Sequence, residues 1–129
     1  MKSRIEGSSA LNVYDYANAG TIKNDKIRDD APQCAHPIVR THPATKRKCL
    51  FVNRLMTMSI EGLEKAESDD LLETMFAAIE RPEHVWGHQW RVGDVLMWDN
   101  RCTSHARQDF PAQELRYMRR LTVKGERPV

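Results

Sequence analysis

The 129-residue sequence is poor in cysteine, has no long apolar run and carries almost no excess of either charge. Its three cysteines, Cys34, Cys49 and Cys102, are odd in number and widely spaced, which excludes a disulfide framework and any Cys-x-x-Cys metal knuckle. Lys and Arg total 20 against 18 Asp and Glu, a formal +2, too near balance to set up a field for polyanions. The longest apolar stretches, Met75–Ile79 and Val95–Trp98, fall far short of the roughly 20 residues of a membrane span. The first thirty residues hold no apolar run and no small-residue cleavage pattern, so no secretory signal is expected and the cytoplasm is the expected location. There is no phosphate-cradling glycine loop, no Gly-x-Ser-x-Gly elbow and no internal repeat. The basic run Thr45-Lys46-Arg47-Lys48 has no interleaved aromatics and reads as a solvated turn, so neither nucleic acid nor membrane is an expected partner.

What is present is one small domain, long enough to bury about 65–70% of its unfolded surface. Residues 1–34 are polar, broken by Gly7, Ser8, Ser9, Gly20 and Pro32, and carry the charged run Lys23–Asp30. Leu11, Val13, Tyr14 and Tyr16 are the one apolar cluster there, so residues 1–35 are expected to be a loop or docking arm outside the core. From His36 onward the pattern is of built elements. Ile38–Arg40 and Cys49–Val52 read as strands joined by the Thr45–Lys48 turn. Ser68 reads as an N-cap with Asp69 and Asp70 in the first turn. Leu71, Leu72, Met75, Phe76 and Ile79 then form the apolar stripe of a helix that Arg81-Pro82 ends. After it the period changes to two. Strands are expected at His88–Arg91, Val95–Trp98, Thr103–Arg107 and Arg116–Val123, with turns at Val92–Asp94 and Asp99–Arg101. One helix among short antiparallel strands predicts a mainly β sandwich or barrel.

The last of these strands carries the chemistry. Alternation puts Arg116, Met118, Arg120 and Thr122 on one face and Tyr117, Arg119, Leu121 and Val123 on the other. Both faces hold cations, so the pattern alone leaves open which is inside. Arg116 and Arg120, roughly 13 Å apart along a strand, need anions if buried, and a guanidinium fork suits carboxylate or sulfonate. A solvated edge strand with protective charges is the plain alternative. His105 follows the Trp98–Arg101 turn, where a lone histidine is most often a surface or hydrogen-bonded residue. His36, His42, His84 and His88 sit beside prolines or in loops. A His84/His88 zinc pair needs a helix that Pro82 and Gly87 oppose.

The blocks His36–Pro43, Leu50–Asn53, Trp98–Arg101 with His105, and Arg116–Gly125 together resemble the TauD/TfdA family of Fe(II)- and 2-oxoglutarate-dependent dioxygenases, which includes enzymes of taurine catabolism. The resemblance covers residues 36–129, in the block order of the family's C-terminal half. It implies a double-stranded β-helix, the jelly roll of the clavaminate synthase-like proteins, present here without its N-terminal half. It implies that His105 is the distal iron ligand and that Arg116 grips the far carboxylate of 2-oxoglutarate. Arg120 would hold an acidic substrate group, and Met56 stands where taurine dioxygenases of the family carry a pocket phenylalanine. The implied reaction hydroxylates a small anionic substrate (sulfonate, sulfate ester or carboxylate) with O2, releasing succinate and CO2.

Two departures bear on that implication. The family's iron site needs a His-x-Asp or His-x-Glu pair besides the distal histidine. The residues two after the five histidines are Ile38, Ala44, Trp86, Trp90 and Arg107, so the pair is absent. One imidazole does not hold Fe(II) usefully, and the chain alone is expected to be inactive. Lys46 stands where the family usually has glycine, at an expected cost of about 1 kcal/mol if that position needs positive φ. A half barrel exposes sheet edges and inner faces, which call for pairing with a second copy or with a separate N-terminal half. The expectation is a fragment of a dioxygenase. The competing expectation is a non-catalytic half-barrel remnant that binds anions or a partner.

Overall fold

The computed structural model describes residues 2–14 and 30–126. Tyr16 and most of the Lys23–Asp30 run lie outside the described residues. The elements are α1 (Lys2–Ile5), β1 (Ser9–Val13), β2 (Gln33–Pro37), β3 (Val39–Thr41), β4 (Lys48–Leu50), β5 (Thr57–Ile60) and α2 (Lys65–Ile79), followed by a 3-10 turn at Pro82–His84. Among the described residues, β2, β1 and β5 form an antiparallel sheet in that order, and β3 and β4 form a separate hairpin. The result is mainly β with one long helix, the class expected from the sequence.

The hairpin and the helix follow the sequence closely. Val39 pairs with Leu50, Arg40 with Cys49 and Thr41 with Lys48, so residues 42–47 connect the two strands and Lys48, expected in the turn, is the first residue of β4. Lys46 has φ +59°, the left-handed conformation that costs a residue with a Cβ about 1 kcal/mol or more. In α2, Leu71, Leu72, Met75 and Phe76 are buried, and Ile79 packs against the same cluster. Pro82 opens the 3-10 turn, which it can do because an N-terminal position needs no amide donor.

Three sequence expectations are corrected. Ser68 is not an N-cap: α2 begins at Lys65 behind Glu64, and Ser68 is buried inside the helix, where its Oγ accepts the Ile60 backbone N–H at 2.8 Å. That bond ties α2 to β5, a tertiary role that the local pattern of a serine before two aspartates does not reveal.

The arm reading of residues 1–35 fails for β1, which is the central strand of its sheet, with Ala10 and Val13 buried. Ile5 of α1 joins the same core. The signal was weak because the buried positions in β1 and in β5 lie three apart instead of alternating. The register with β5 slips between Leu11 and Asn12, where Met58 is the extra residue of a bulge. A central strand also has its backbone N–H and C=O groups satisfied by ladders on both sides, which its own side-chain pattern does not report.

The third correction concerns residues 85–126. The expected turns form: Asp94 N–H donates to Arg91 O at 3.1 Å, with Gly93 at φ +92°, and Cys102 N–H donates to Asp99 O at 3.3 Å. The expected strands at His88–Arg91, Val95–Trp98, Thr103–Arg107 and Arg116–Val123 do not. A turn closes on hydrogen bonds within four residues, whereas a strand needs a second strand beside it. No described strand lies alongside this stretch. Val92, Val95, Met97, Leu115, Leu121 and Val123 are accordingly almost wholly exposed.

The core lies between the sheet, the hairpin and α2, and holds Ile5, Ala10, Ile38, Val52, Ile60, Leu71, Leu72, Met75 and Phe76. Ile38 joins sheet to hairpin: its N–H donates to Ser8 O and its carbonyl accepts from Phe51 N–H. On the outside of α2, Arg54 bonds both Glu73 and Glu80 and covers the Phe76 ring. Among the described residues, no helix is long and apolar enough to cross a membrane.

Candidate functional site

The best-organised polar cluster lies where the turn at Asp99 meets the β3–β4 hairpin. His42, just beyond β3, is buried and held on every side. Its N–H donates to Arg47 O and its carbonyl accepts from Lys46 N–H, both at 2.8 Å. Its Nδ1 accepts the Thr45 backbone N–H at 3.1 Å, which leaves the ring proton on Nε2, and Nε2 faces Asp99 Oδ2 at 3.0 Å. His42 therefore donates to the carboxylate.

Asp99 organises the turn around itself. Its Oδ1 accepts from the backbone N–H and Nε of Arg101 at 2.9 Å, and its Oδ2 accepts from Arg101 Nη2 at 2.6 Å. These bonds from Arg101, with the bond from His42, hold the Asp99 carboxyl well below the usual carboxylate range. The Asp99 carbonyl accepts from Thr103 Oγ1 at 2.7 Å and from Thr103 N–H at 3.1 Å. Trp98 Nε1 donates to Asn100 Oδ1 at 2.8 Å. Cys49 on β4 points its Sγ at Arg101 O, 3.6 Å away, and burial pushes its thiol above the ordinary value, helped by Cys102. Glu126 reaches both the buried Arg40, at 3.8 Å, and Arg101, at 4.0 Å.

His42, Asp99 and Cys102 bring one ligand atom each to within 4.8 Å of one another, the dimension of a cation site. The donor chemistry opposes that use. A metal-bound histidine normally donates its second ring N–H to a carbonyl or carboxylate, whereas Nδ1 of His42 accepts a hydrogen bond from a backbone amide. Metal on Nε2 would require an imidazolate, and Asp99 is already engaged by Arg101.

The residues singled out by sequence lie partly elsewhere. His105 is exposed beyond this turn, its ring packed on Trp98 at 4.8 Å between centroids. Arg116 and Arg120 are exposed, and the Arg116 guanidinium lies over the Phe110 ring at 5.6 Å. With no strand there, neither face of Arg116–Val123 is an inside face. Met56 is in the turn ahead of β5, half-buried, its carbonyl accepting from Val13 N–H. Of the remaining histidines, His84 bonds the Ala78 carbonyl and His88 bonds Asp94, so the two do not act as a pair. The His42–Asp99 contact was missed because it spans 57 residues and neither partner has a periodic or spacing signal.

A profile of the taurine catabolism dioxygenase TauD, TfdA family matches residues 1–122. The chain is 37% identical over 107 residues to an alpha-ketoglutarate-dependent 2,4-dichlorophenoxyacetate dioxygenase of Burkholderia sp., a match covering 83% of this chain and 36% of that protein. It is 36% identical over 96 residues to an alpha-ketoglutarate-dependent sulfonate dioxygenase of Saccharomyces cerevisiae, covering 73% of this chain and 23% of that one. Among solved structures it is similar to AAD-2 in complex with Mn(II) and N-oxalylglycine, with a TM-score of 0.68 and 28% identity, over 78% of this chain and 40% of that one. The chain spans between about a quarter and a half of the length of the curated relatives it matches.

Proposed function

Because this chain belongs to the TauD/TfdA family of dioxygenases, we propose that it is the C-terminal half of an Fe(II)- and 2-oxoglutarate-dependent dioxygenase that hydroxylates a small anionic substrate. His105 is the distal iron ligand in this reading, Arg116 the clamp on the far carboxylate of 2-oxoglutarate, and Arg120 the group that meets the substrate's acid. Met56 lines the same pocket. The observation that carries it is the run Trp98-Asp99-Asn100-Arg101, His105, Arg116 and Arg120, in the family's order and within the matched residues. Two relatives with a carboxylate and a sulfonate in their names support the anionic class.

The donors among the described residues do not fit a complete iron site. His105 packs on Trp98, and the one group of three possible ligands among the described residues, His42 with Asp99 and Cys102, does not include it. The His-x-Asp pair and the strands that would cover residues 85–126 are assigned to the part of the domain that the longer relatives have and this chain does not span. On this reading residues 36–129 are that domain's C-terminal half, a partial jelly roll whose open edges are closed by the rest of the domain.

The test has two arms. The isolated chain supplied with Fe(II) and 2-oxoglutarate is expected to form no succinate, and uncoupled succinate formation would overturn the incomplete-site reading. Translation of the DNA upstream of the Met1 codon in all three frames is expected to reveal a His-x-Asp or His-x-Glu about half a domain away. Its absence would favour the second reading, a non-catalytic anion-binding or interaction remnant, which the absence of His105 from any ligand cluster among the described residues also favours. Calorimetry with 2-oxoglutarate and a chelator then decides: metal-free binding abolished in Arg116→Ala supports the remnant.

A further inference from the structure

We propose that His42 and Asp99 are positioning residues: their hydrogen bond latches the Trp98–Thr103 turn onto the β3–β4 hairpin, and through Trp98 it sets where the His105 ring sits. The inference rests on the role given to His105 above, but the geometry that carries it is independent of iron. Among the described residues, no strand anchors 85–126, and the hydrogen bonds and ion pairs seen between this stretch and the core are side-chain ties. Of these the His42–Asp99 bond is short, its donor is buried, and its geometry is set from both ends.

On one side, Thr45 N–H fixes the tautomer and the backbone bonds to Lys46 and Arg47 fix the ring's origin. On the other, Asp99 is the hub of its turn: one carboxylate holds Arg101 while its carbonyl holds Thr103, two residues before His105. Trp98, the residue before Asp99, packs on the His105 ring. A displaced Asp99 therefore moves both the chain leading to His105 and the indole against it. The Cys49 and Glu126 contacts to Arg101 are longer and weaker.

The expected signature is magnetic, not catalytic. In long-range nitrogen–proton spectra of the 129-residue chain, His42 should appear as the Nε2–H tautomer, and the His105 ring protons should be displaced by the indole current of Trp98. His42→Phe keeps an aromatic ring but loses both hydrogen bonds, and Asp99→Ala removes the hub from the other side. Each should return the His105 ring protons to their unfolded-chain positions while the amides of β1, β2, β5 and α2 stay in place. Unmoved His105 resonances in either variant would overturn the proposal, as would an Nδ1–H tautomer for His42. Loss of the sheet amides in both variants would also overturn it, because the pair would then hold the whole fold and not the turn. A His105 that follows the latch while no upstream His-x-Asp exists would sink the dioxygenase reading and leave this one standing.

Discussion

Replacing Ser68 by alanine removes a single oxygen, yet it strands a donor. Ser68 is 1% exposed, and its Oγ is the acceptor for Ile60 N–H at 2.8 Å, with Ile60 itself 3% exposed. The void left behind is about one oxygen in size and is walled by the helix and β5, too small for a water to replace the hydroxyl. A buried amide without a partner costs about 1–3 kcal/mol, a large part of the ~5–15 kcal/mol that stabilises a typical domain. Urea unfolding should show a lower midpoint at unchanged slope, the mark of lost stability without a change in the surface exposed. The energy alone does not identify the cause, because loss of a helix cap is also worth about 1 kcal/mol. Amide exchange separates the two. Exchange of Ile60 should accelerate by more than the loss of global stability accounts for, because its own acceptor is gone, while amides in the first turn of α2 follow the global change only. A stability loss below about 0.5 kcal/mol, short of the buried-amide penalty, would refute the reasoning, as would acceleration confined to the first turn of α2.

Lys46→Gly should raise stability by about 0.5–1 kcal/mol, since φ +59° is strained for lysine and open to glycine, offset by glycine's greater freedom when unfolded. Thermal unfolding checks it, and a loss would mean that the lysine side chain contributes more than the strain. Cys49 should be the slowest of the three thiols to react with iodoacetamide near pH 8, because burial raises its pKa above the ordinary value and leaves less thiolate, while Cys34 and Cys102 are exposed. Mass spectrometry of partly alkylated chain reads the order directly, and early labelling of Cys49 would contradict the contacts to Arg40 and Arg101.

Whatever closes over a few consecutive residues was legible in the sequence: the α2 stripe from Leu71 to Ile79, its end before Pro82, the β3–β4 hairpin, the turns at Val92–Asp94 and Asp99–Arg101, and the strain at Lys46. So was the family, because the order of its short blocks survives without any knowledge of contacts. Periodicity and turn chemistry are local, and the residues that express them are neighbours in the chain.

Only the tertiary structure decided what depends on distant partners. β1 became a central strand because β2 and β5 flank it, despite its polar surroundings. Ser68 turned inward because Ile60 N–H faced it, and His42 acquired its role from a carboxylate 57 residues away. The strands expected across residues 88–123 fail for the same reason. Alternation can mark a stretch of chain as suited to a sheet, but its backbone N–H and C=O groups are satisfied only when another strand lies beside them.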